Sequence, residues 1–584
     1  MVSHLFWAVA LAEDEPASGL DVGLGASLLI SITMMMGLYY ITNFPDPDIR
    51  RYAYEVLNST ISIFCAVLLF SAGNDVFEKE VVGHLDPKWA TSARVGVTVF
   101  WFTVLQLVTA RLAHQFEDED TRKKHEFVHQ HHETTDVNLS SAGVLLAHIS
   151  GFACINLFGH LQQQHRFSAS PFASLGSAVL ALCFCAFMNK ITRVIRHQLI
   201  HRDKDMDEFE EMWDEAVQES ENDVFSLCVS FLCVQSLRFA VSGTLPNDEG
   251  DEAVATLFHH SWYEPVLLIL FGSAGSLVLT MYFLGLRSVK KNEKPKGLAR
   301  RVTMSVDGVL TRLKKASTME VASVPLIEWE RVSELFCTTI SHASAWAILF
   351  GAKWAIAGLL TVEDETILNL LCAFVLSGFC CAFIWVLDNI QDSVRAEARE
   401  ARDGDNAEQS KERVEITSEI IRHLVDQVGI IIGFGWERCF DGAVVAVASP
   451  TPNPLVTKFI LAVLCAVVVL PAWRLYLVPM VVLQGWRFGF LPHHVVKHAA
   501  NNEDCEETQK KYDELLQTLT GAHPDKEKRQ KYNDLHSKAG SDHSHPVPKL
   551  KLPEAAAGSL LAPASQLTGY VALSPRGVKQ LVVR

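Results

Sequence analysis

The sequence predicts an all-α polytopic membrane protein with about eleven spanning helices, and three observations predict it. Of 584 residues, 49% are hydrophobic and 20% charged, and the charges crowd between long apolar runs. Those runs reach the roughly 20 residues that a helix needs to cross the hydrocarbon core. They also lack the period-two alternation of barrel strands. A set of soluble domains and a chain disordered throughout are both excluded by this segregation. The net charge of −16, with no dominant basic stripe, argues against nucleic acid as a partner. Of 13 cysteines, all but Cys505 fall in apolar runs, so they read as small packing residues and not as a disulfide or zinc framework.

Eleven windows qualify as spans: 21–43, 54–77, 92–112, 137–160, 171–194, 223–244, 263–286, 332–360, 366–389, 419–446 and 455–482. Their orientation follows from the excess of Lys and Arg expected in cytoplasmic loops. The connector 287–331 is rich in Lys and Arg, whereas 245–261 holds Asp248, Glu249, Asp251 and Glu252 with no base. Stepping outward, 113–136, 195–222 and 390–418 fall on the cytoplasmic side with 287–331. The N-terminal segment 1–20 falls outside or in a lumen, and the C-terminus in the cytoplasm. Ala10-Leu11-Ala12 resembles a small-residue cleavage site, but the short apolar stretch lacks a basic flank and reads poorly as a signal peptide.

Self-similarity suggests a repeat. Leu69-Phe70-Ser71-Ala72-Gly73 echoes Leu349-Phe350-Gly351-Ala352-Lys353, and the outward-going spans share a plan of acidic or amide residues first and a strongly polar residue later. One lead helix followed by five tandem hairpins, spans 2–3, 4–5, 6–7, 8–9 and 10–11, accounts for it. The later polar residues, Asn74, Asp75, Asn156, Arg238, Lys353, Glu437 and Arg438, with Asp441, then form one layer near the outer interface. Ionisable residues in spans default to a functional reading, with Arg238 or Lys353 pairing Asp75, Glu437 or Asp441. Snorkelling of Lys and Arg to the headgroups is the bland alternative. His148 and His342 lie deeper, with Gln106, Ser230, Gln235, Asp426 and Gln427 as further polar interruptions. Proton relay and simple interhelical hydrogen bonding are the two readings of these residues. Gly272-Ser273-Ala274-Gly275-Ser276 reads as a close-packing face.

Three cytoplasmic features carry other expectations. His125-Glu126-Phe127-Val128-His129 matches the HExxH pattern, in which two histidines one helical turn apart bind zinc; no third ligand motif accompanies it. Asp203, Asp205, Asp207, Glu211 and Asp214 imitate a calcium loop, but Glu208 stands where the turn needs glycine, so an acidic extension of span five fits better. Residues 297–316 form a basic amphipathic stretch suited to the anionic inner leaflet or to a calmodulin-like partner, and Arg300-Arg301-Val302-Thr303 places Thr303 in a basophilic phosphorylation context. Residues 483–500 read as interfacial, 501–540 as a polar helical tail and 541–584 as a flexible tail.

There is no Walker loop, dinucleotide fingerprint or nucleophile elbow, so no cofactor is expected. A transporter or channel for a small solute or ion, acting through those polar residues of the spans, leads. A membrane scaffold or receptor working through its loops and tail is the alternative, and a zinc-dependent enzyme centred on His125 and His129 is the third reading.

Overall fold

The computed structural model describes residues 19–117, 129–200, 207–291, 329–360, 364–400 and 407–487. His125, Thr303, the basic stretch 297–316 and the tail from 488 onward lie outside the described residues.

The described residues are mostly helical, and each apolar window of the sequence falls on a long helix. These are α1 (Gly19–Thr42), α2 (Pro47–Glu80), α3 (Pro87–Leu112), α4 (His129–Gln163), α5 (Pro171–Ile200), α6 (Glu208–Ser242), α7 (Tyr263–Lys291), α8 (Trp329–Leu360), α9 (Glu365–Glu400), α10 (Ala407–Ala448) and α11 (Pro454–Ala472). Among the described residues, nine helices are long and apolar enough to cross a membrane. α10 is not one of the nine, because Arg422, Asp426, Glu437, Arg438 and Asp441 interrupt it. α1 contributes only the shorter apolar stretch Ile32–Thr42. The protein is therefore a polytopic membrane protein built of packed helices.

Local chemistry sets the helix starts. Asp46 and Asp86 cap α2 and α3, each followed by proline in the first turn, which loses no hydrogen bond there. α6 begins at a capping box formed by Asp207 and Glu210. The acidic stretch expected to extend span five therefore belongs in part to the first turns of α6. At the far end, Pro471 removes a backbone donor inside α11, and the helix continues through a π turn at Trp473–Leu477 into Val478–Arg487.

The even-numbered helices form a closed inner ring. α2 packs on α4, α4 on α6, α6 on α8, α8 on α10, and α10 returns to α2. The odd-numbered helices lie outside it, α3 on α4, α5 on α6, α7 on α8, α9 on α10 and α11 on α2. Burial follows the same division: 72% of the most apolar window of α4 and of α6 is buried, against 17% for α7 and 11% for α11. A large apolar surface outside the ring is what a lipid-facing layer requires. The glycine-rich segment of α7 does meet a neighbour closely. A Cβ on Gly272 would fall 2.6 Å from Ile348 Cγ1 and 2.7 Å from the Ser344 carbonyl of α8.

One buried carboxylate ties several helices together. Glu221 of α6, with a fully buried side chain, accepts from Gln106 of α3 at 3.1 Å, Thr192 of α5 at 2.6 Å, Arg196 of α5 at 3.1 Å and Arg331 of α8 at 2.7 Å. Charge-assisted bonds of this density offset the desolvation of the carboxylate.

Candidate functional site: the axis of the helix ring

Each inner helix sends an aromatic side chain toward the axis at one level. Phe70 of α2 lies 6.4 Å from Phe152 of α4, which lies 6.0 Å from Phe434 of α10. Phe434 lies 4.0 Å from Trp346 of α8, and Trp346 lies 5.2 Å from Phe231 of α6. These contacts touch all five helices. They follow from phenylalanine and tryptophan spaced along helices that are otherwise aliphatic and small, and such ring pairs add about 0.5–1.5 kcal/mol each beyond area burial.

On one side of this aromatic layer the axis is acidic. Asp426 of α10 and Asp223 of α6 lie eight residues before their helices' aromatic residue, about 12 Å of helix rise. Glu219 of α6 and Glu334 of α8 lie a further turn away. Asp426, Glu219 and Glu334 are exposed although each belongs to the inner ring. They face one another across it. Glu219 feels the charges of Asp426, Arg422, Asp136 of α4 and Glu334, and Glu55 of α2 feels those of Asp426 and Arg422. α6 and α10 are not neighbours in the ring, so this coupling runs through its interior. Every inner helix thus contributes a carboxylate, and Arg422 is coupled to both Glu219 and Glu55.

Between the acids and the aromatic layer lie buried polar groups. His148 of α4 and His342 of α8 are 9% and 6% exposed, His148 feels the charge of His342, and His342 Nδ1 is 2.8 Å from the Thr338 carbonyl. Ser150 Oγ, Ser341 Oγ, Trp346 Nε1 and Gln427 Nε2 are buried with no protein hydrogen-bond partner, an arrangement that in an interior calls for water or a ligand.

On the opposite side a connector, residues 243–262, closes over the ring. Its acids are gripped by bases from three successive inner helices. Arg238 of α6, 1% exposed, donates to the Gly250 carbonyl at 2.7 Å and to Glu252, and its guanidinium stacks 3.8 Å from the Phe350 ring centroid. Lys353 of α8 lies 3.8 Å from Asp251 and 3.6 Å from Glu365. Arg438 of α10 donates to Asp251 at 2.7 Å and to the Glu249 carbonyl, with Glu437 at 3.5 Å from its Nε. Gly250 adopts φ +86°, and a Cβ there would collide with Gln235 and sit 2.9 Å from the Phe231 ring, so the connector passes directly over the aromatic layer.

The connector's charges are set by these contacts. Burial alone would raise the Asp251 carboxyl, but Arg438, Lys353 and Arg238 outweigh it and hold it below the usual range. Burial likewise opposes the charge on Glu252, and hydrogen bonds from His260 and Arg238 overcome it and lower its pKa. His260 stands between Glu252 at 2.8 Å and Glu264 at 2.7 Å and stacks on Trp354 at 3.9 Å. Burial disfavours its charge, yet the two carboxylates outweigh burial and raise its pKa.

The structure brings together Arg238, Lys353, Glu437 and Arg438 from the sequence-derived layer. Their partners are the connector acids Asp251 and Glu252, whereas Asp75 bonds Lys458 of α11 at 2.9 Å and Asp441 is coupled to that pair and to Arg438. Asn74 and Asn156 are half-buried and take no part in the grip. His129 opens α4, while His125 lies outside the described residues. Sequence reasoning missed Asp251, Glu252, His260 and the aromatic layer as site residues. The acidic, base-free connector was the available signal for the first two.

Comparison of the chain with protein-family models, with characterised proteins and with solved structures returns no match. The functional reading therefore rests on the chain's own geometry.

Proposed function

We propose that the protein is a transporter or channel for a small cation, whose path runs along the axis of the inner ring. The observation that carries this reading is the convergence of Glu55, Asp136, Glu219, Asp223, Glu334 and Asp426, from all five inner helices, on the interior of the ring. A cleft lined by one sign of charge within low-dielectric walls concentrates counter-ions, and rings of Asp and Glu favour cations. The Lys and Arg bias of the connectors supports a cytoplasmic mouth at this acidic end, with residues 243–262 outside or in a lumen. Five tandem hairpins after the lead helix α1 give a common origin for five inner helices that each carry a carboxylate, an aromatic residue and a later polar residue. In this conformation the aromatic layer and the gripped connector close the path, with Arg238, Lys353 and Arg438 acting as gate residues.

Reconstitution into liposomes tests the reading. Asp426→Asn and Glu219→Gln should each lower cation uptake several-fold with no loss of folded protein. Unchanged uptake in both variants would remove the acidic residues from the path.

A second reading, a membrane scaffold or receptor, is favoured by the aromatic layer, which fills the axis with packed side chains. It predicts that deleting residues 501–584 abolishes cellular function while substitutions along the axis leave it intact.

A further inference from the structure

Away from the ring axis, a second cluster of carboxylates gathers where the start of α2 meets α9. Asp46, Asp48 and Asp388 bring carboxylate oxygens within 4.8 Å of one another. Asp48 and Asp388 are 7% and 6% exposed. The neighbouring arginines meet the two oxygens of Asp48, and Arg395 is also coupled to Asp388. Arg395 donates to Asp48 Oδ2, while Arg51 lies 3.9 Å from Asp48 and 3.5 Å from Glu55. Asp46 uses Oδ1 to cap α2, accepting from the Asp48 amide at 2.8 Å.

Asp388 is the telling member. Its Oδ1 is wholly buried and has no hydrogen-bond partner, although the residue belongs to a group of three converging acids. Asp392 adds a further negative charge to which Asp388 is coupled. A buried carboxylate oxygen without a donor is disfavoured, and crowding it against like charges makes it worse.

We infer that Asp46, Asp48 and Asp388 form a binding site for a hard divalent cation, Ca2+ or Mg2+, that joins α2 of the inner ring to α9 of the outer layer. All donors are carboxylate oxygens, the preference of such ions. The three oxygens lie within 4.8 Å of one another, close to the separation of oxygens around one Ca2+ at about 2.3–2.6 Å, whereas Mg2+ at about 2.0–2.1 Å needs them to draw closer. The ion supplies the partner that Asp388 Oδ1 lacks. It bridges the first inner helix to the helix that covers α10, a junction also held by Tyr52, whose hydroxyl donates to Gln391 of α9. The site shares no carboxylate with the cation path, although Arg51 lies between Asp48 and Glu55.

Purified full-length protein in nanodiscs, stripped with chelator, is titrated with Ca2+ alone and with Mg2+ alone by calorimetry, and its melting temperature is followed in parallel. The site predicts binding near one ion per chain and a rise in melting temperature with at least one of the two ions. Asp388→Asn and, separately, Asp46→Asn should each weaken that binding by about tenfold or more. Asp46 is only half-buried, so its variant keeps the test open if the change at 388 impairs folding. Absence of binding by both ions, or binding of unchanged affinity in either folded variant, overturns the proposal. A melting temperature raised by Asp388→Asn with no ion dependence in the parent would assign the partner to a proton instead, and overturns it too.

Discussion

Trp346 of α8 and Phe434 of α10 lie 4.0 Å apart between ring centroids, and this pair links the aromatic side chains of all five inner helices into one layer. Asp426, two turns before Phe434, is exposed, while Phe434 is 1% exposed. Accessibility should therefore change sharply over that distance. With the native thiols as baseline, Asp426→Cys should react quickly with a charged, membrane-impermeant thiol reagent applied from the acidic side. Phe434→Cys should react at least tenfold more slowly, a difference of about 1.4 kcal/mol in barrier. Equal rates would mean that the layer does not divide the axis.

The Arg238–Glu252 pair is buried on both sides, with side chains 2% and 5% exposed. Removing Arg238 leaves the buried Glu252 with His260 as its remaining partner, which costs up to about 3–5 kcal/mol. Arg238→Gln should lower the melting temperature by several degrees and expose the connector 243–262 to protease. The double change Arg238→Gln with Glu252→Gln should recover part of the loss, and a double variant as unstable as the sum of the singles would show that the two residues are not coupled.

Hydrogen bonding of His260 to two carboxylates makes the connector's attachment depend on pH. The raised pKa of His260 means that its contribution is complete below the unfolded value near 6.5 and is lost as pH rises through the higher folded value. The lowered pKa of Glu252 works in the other direction: its contribution is complete above an unfolded value of about 4.3 and is lost as pH falls through the folded value. Attachment should be firmest between about pH 4.3 and 6.5. His260→Gln should flatten the alkaline arm of a protection profile measured by hydrogen exchange at 243–262, and an unaltered profile would contradict the assignment.

Glu221 answers four donors from α3, α5 and α8 within a fully buried environment. Glu221→Gln keeps the shape but removes the charge facing Arg196 and Arg331. A loss of about 3–5 kcal/mol is expected, read as a lower melting temperature in detergent with no change in ion selectivity. A stability equal to the parent would show that the arginines find other partners.

Much of this was legible in the chain. Among the described residues, nine of the eleven apolar windows fall on helices long and apolar enough to cross a membrane, because hydrocarbon thickness imposes a length that composition reveals. The windows stop short of the helices: α6 begins at Glu208 and α10 at Ala407, because their first turns are polar yet remain helical. Arg238, Lys353 and Arg438 stood out as charges in apolar text. Their partners did not, because Asp251 and Glu252 belong to a connector that looks like an ordinary solvated loop until it folds over the ring. Phe70, Phe152, Phe231, Trp346 and Phe434 were invisible as a layer, since aromatic residues are ordinary in membrane helices and only packing sets them at one level. Asp46 and Asp388 are separated by most of the chain, and no local pattern brings them together.

The central claim is a cation path along the ring, closed in this conformation by the aromatic layer. Flux of a small monovalent cation and of chloride, measured side by side in liposomes holding the parent protein or Trp346→Ala, tests it most directly. A cation path predicts cation flux above protein-free liposomes, increased several-fold by Trp346→Ala, with chloride flux at background in both. Cation flux at background in both proteins, or chloride passing as readily as the cation, would contradict it.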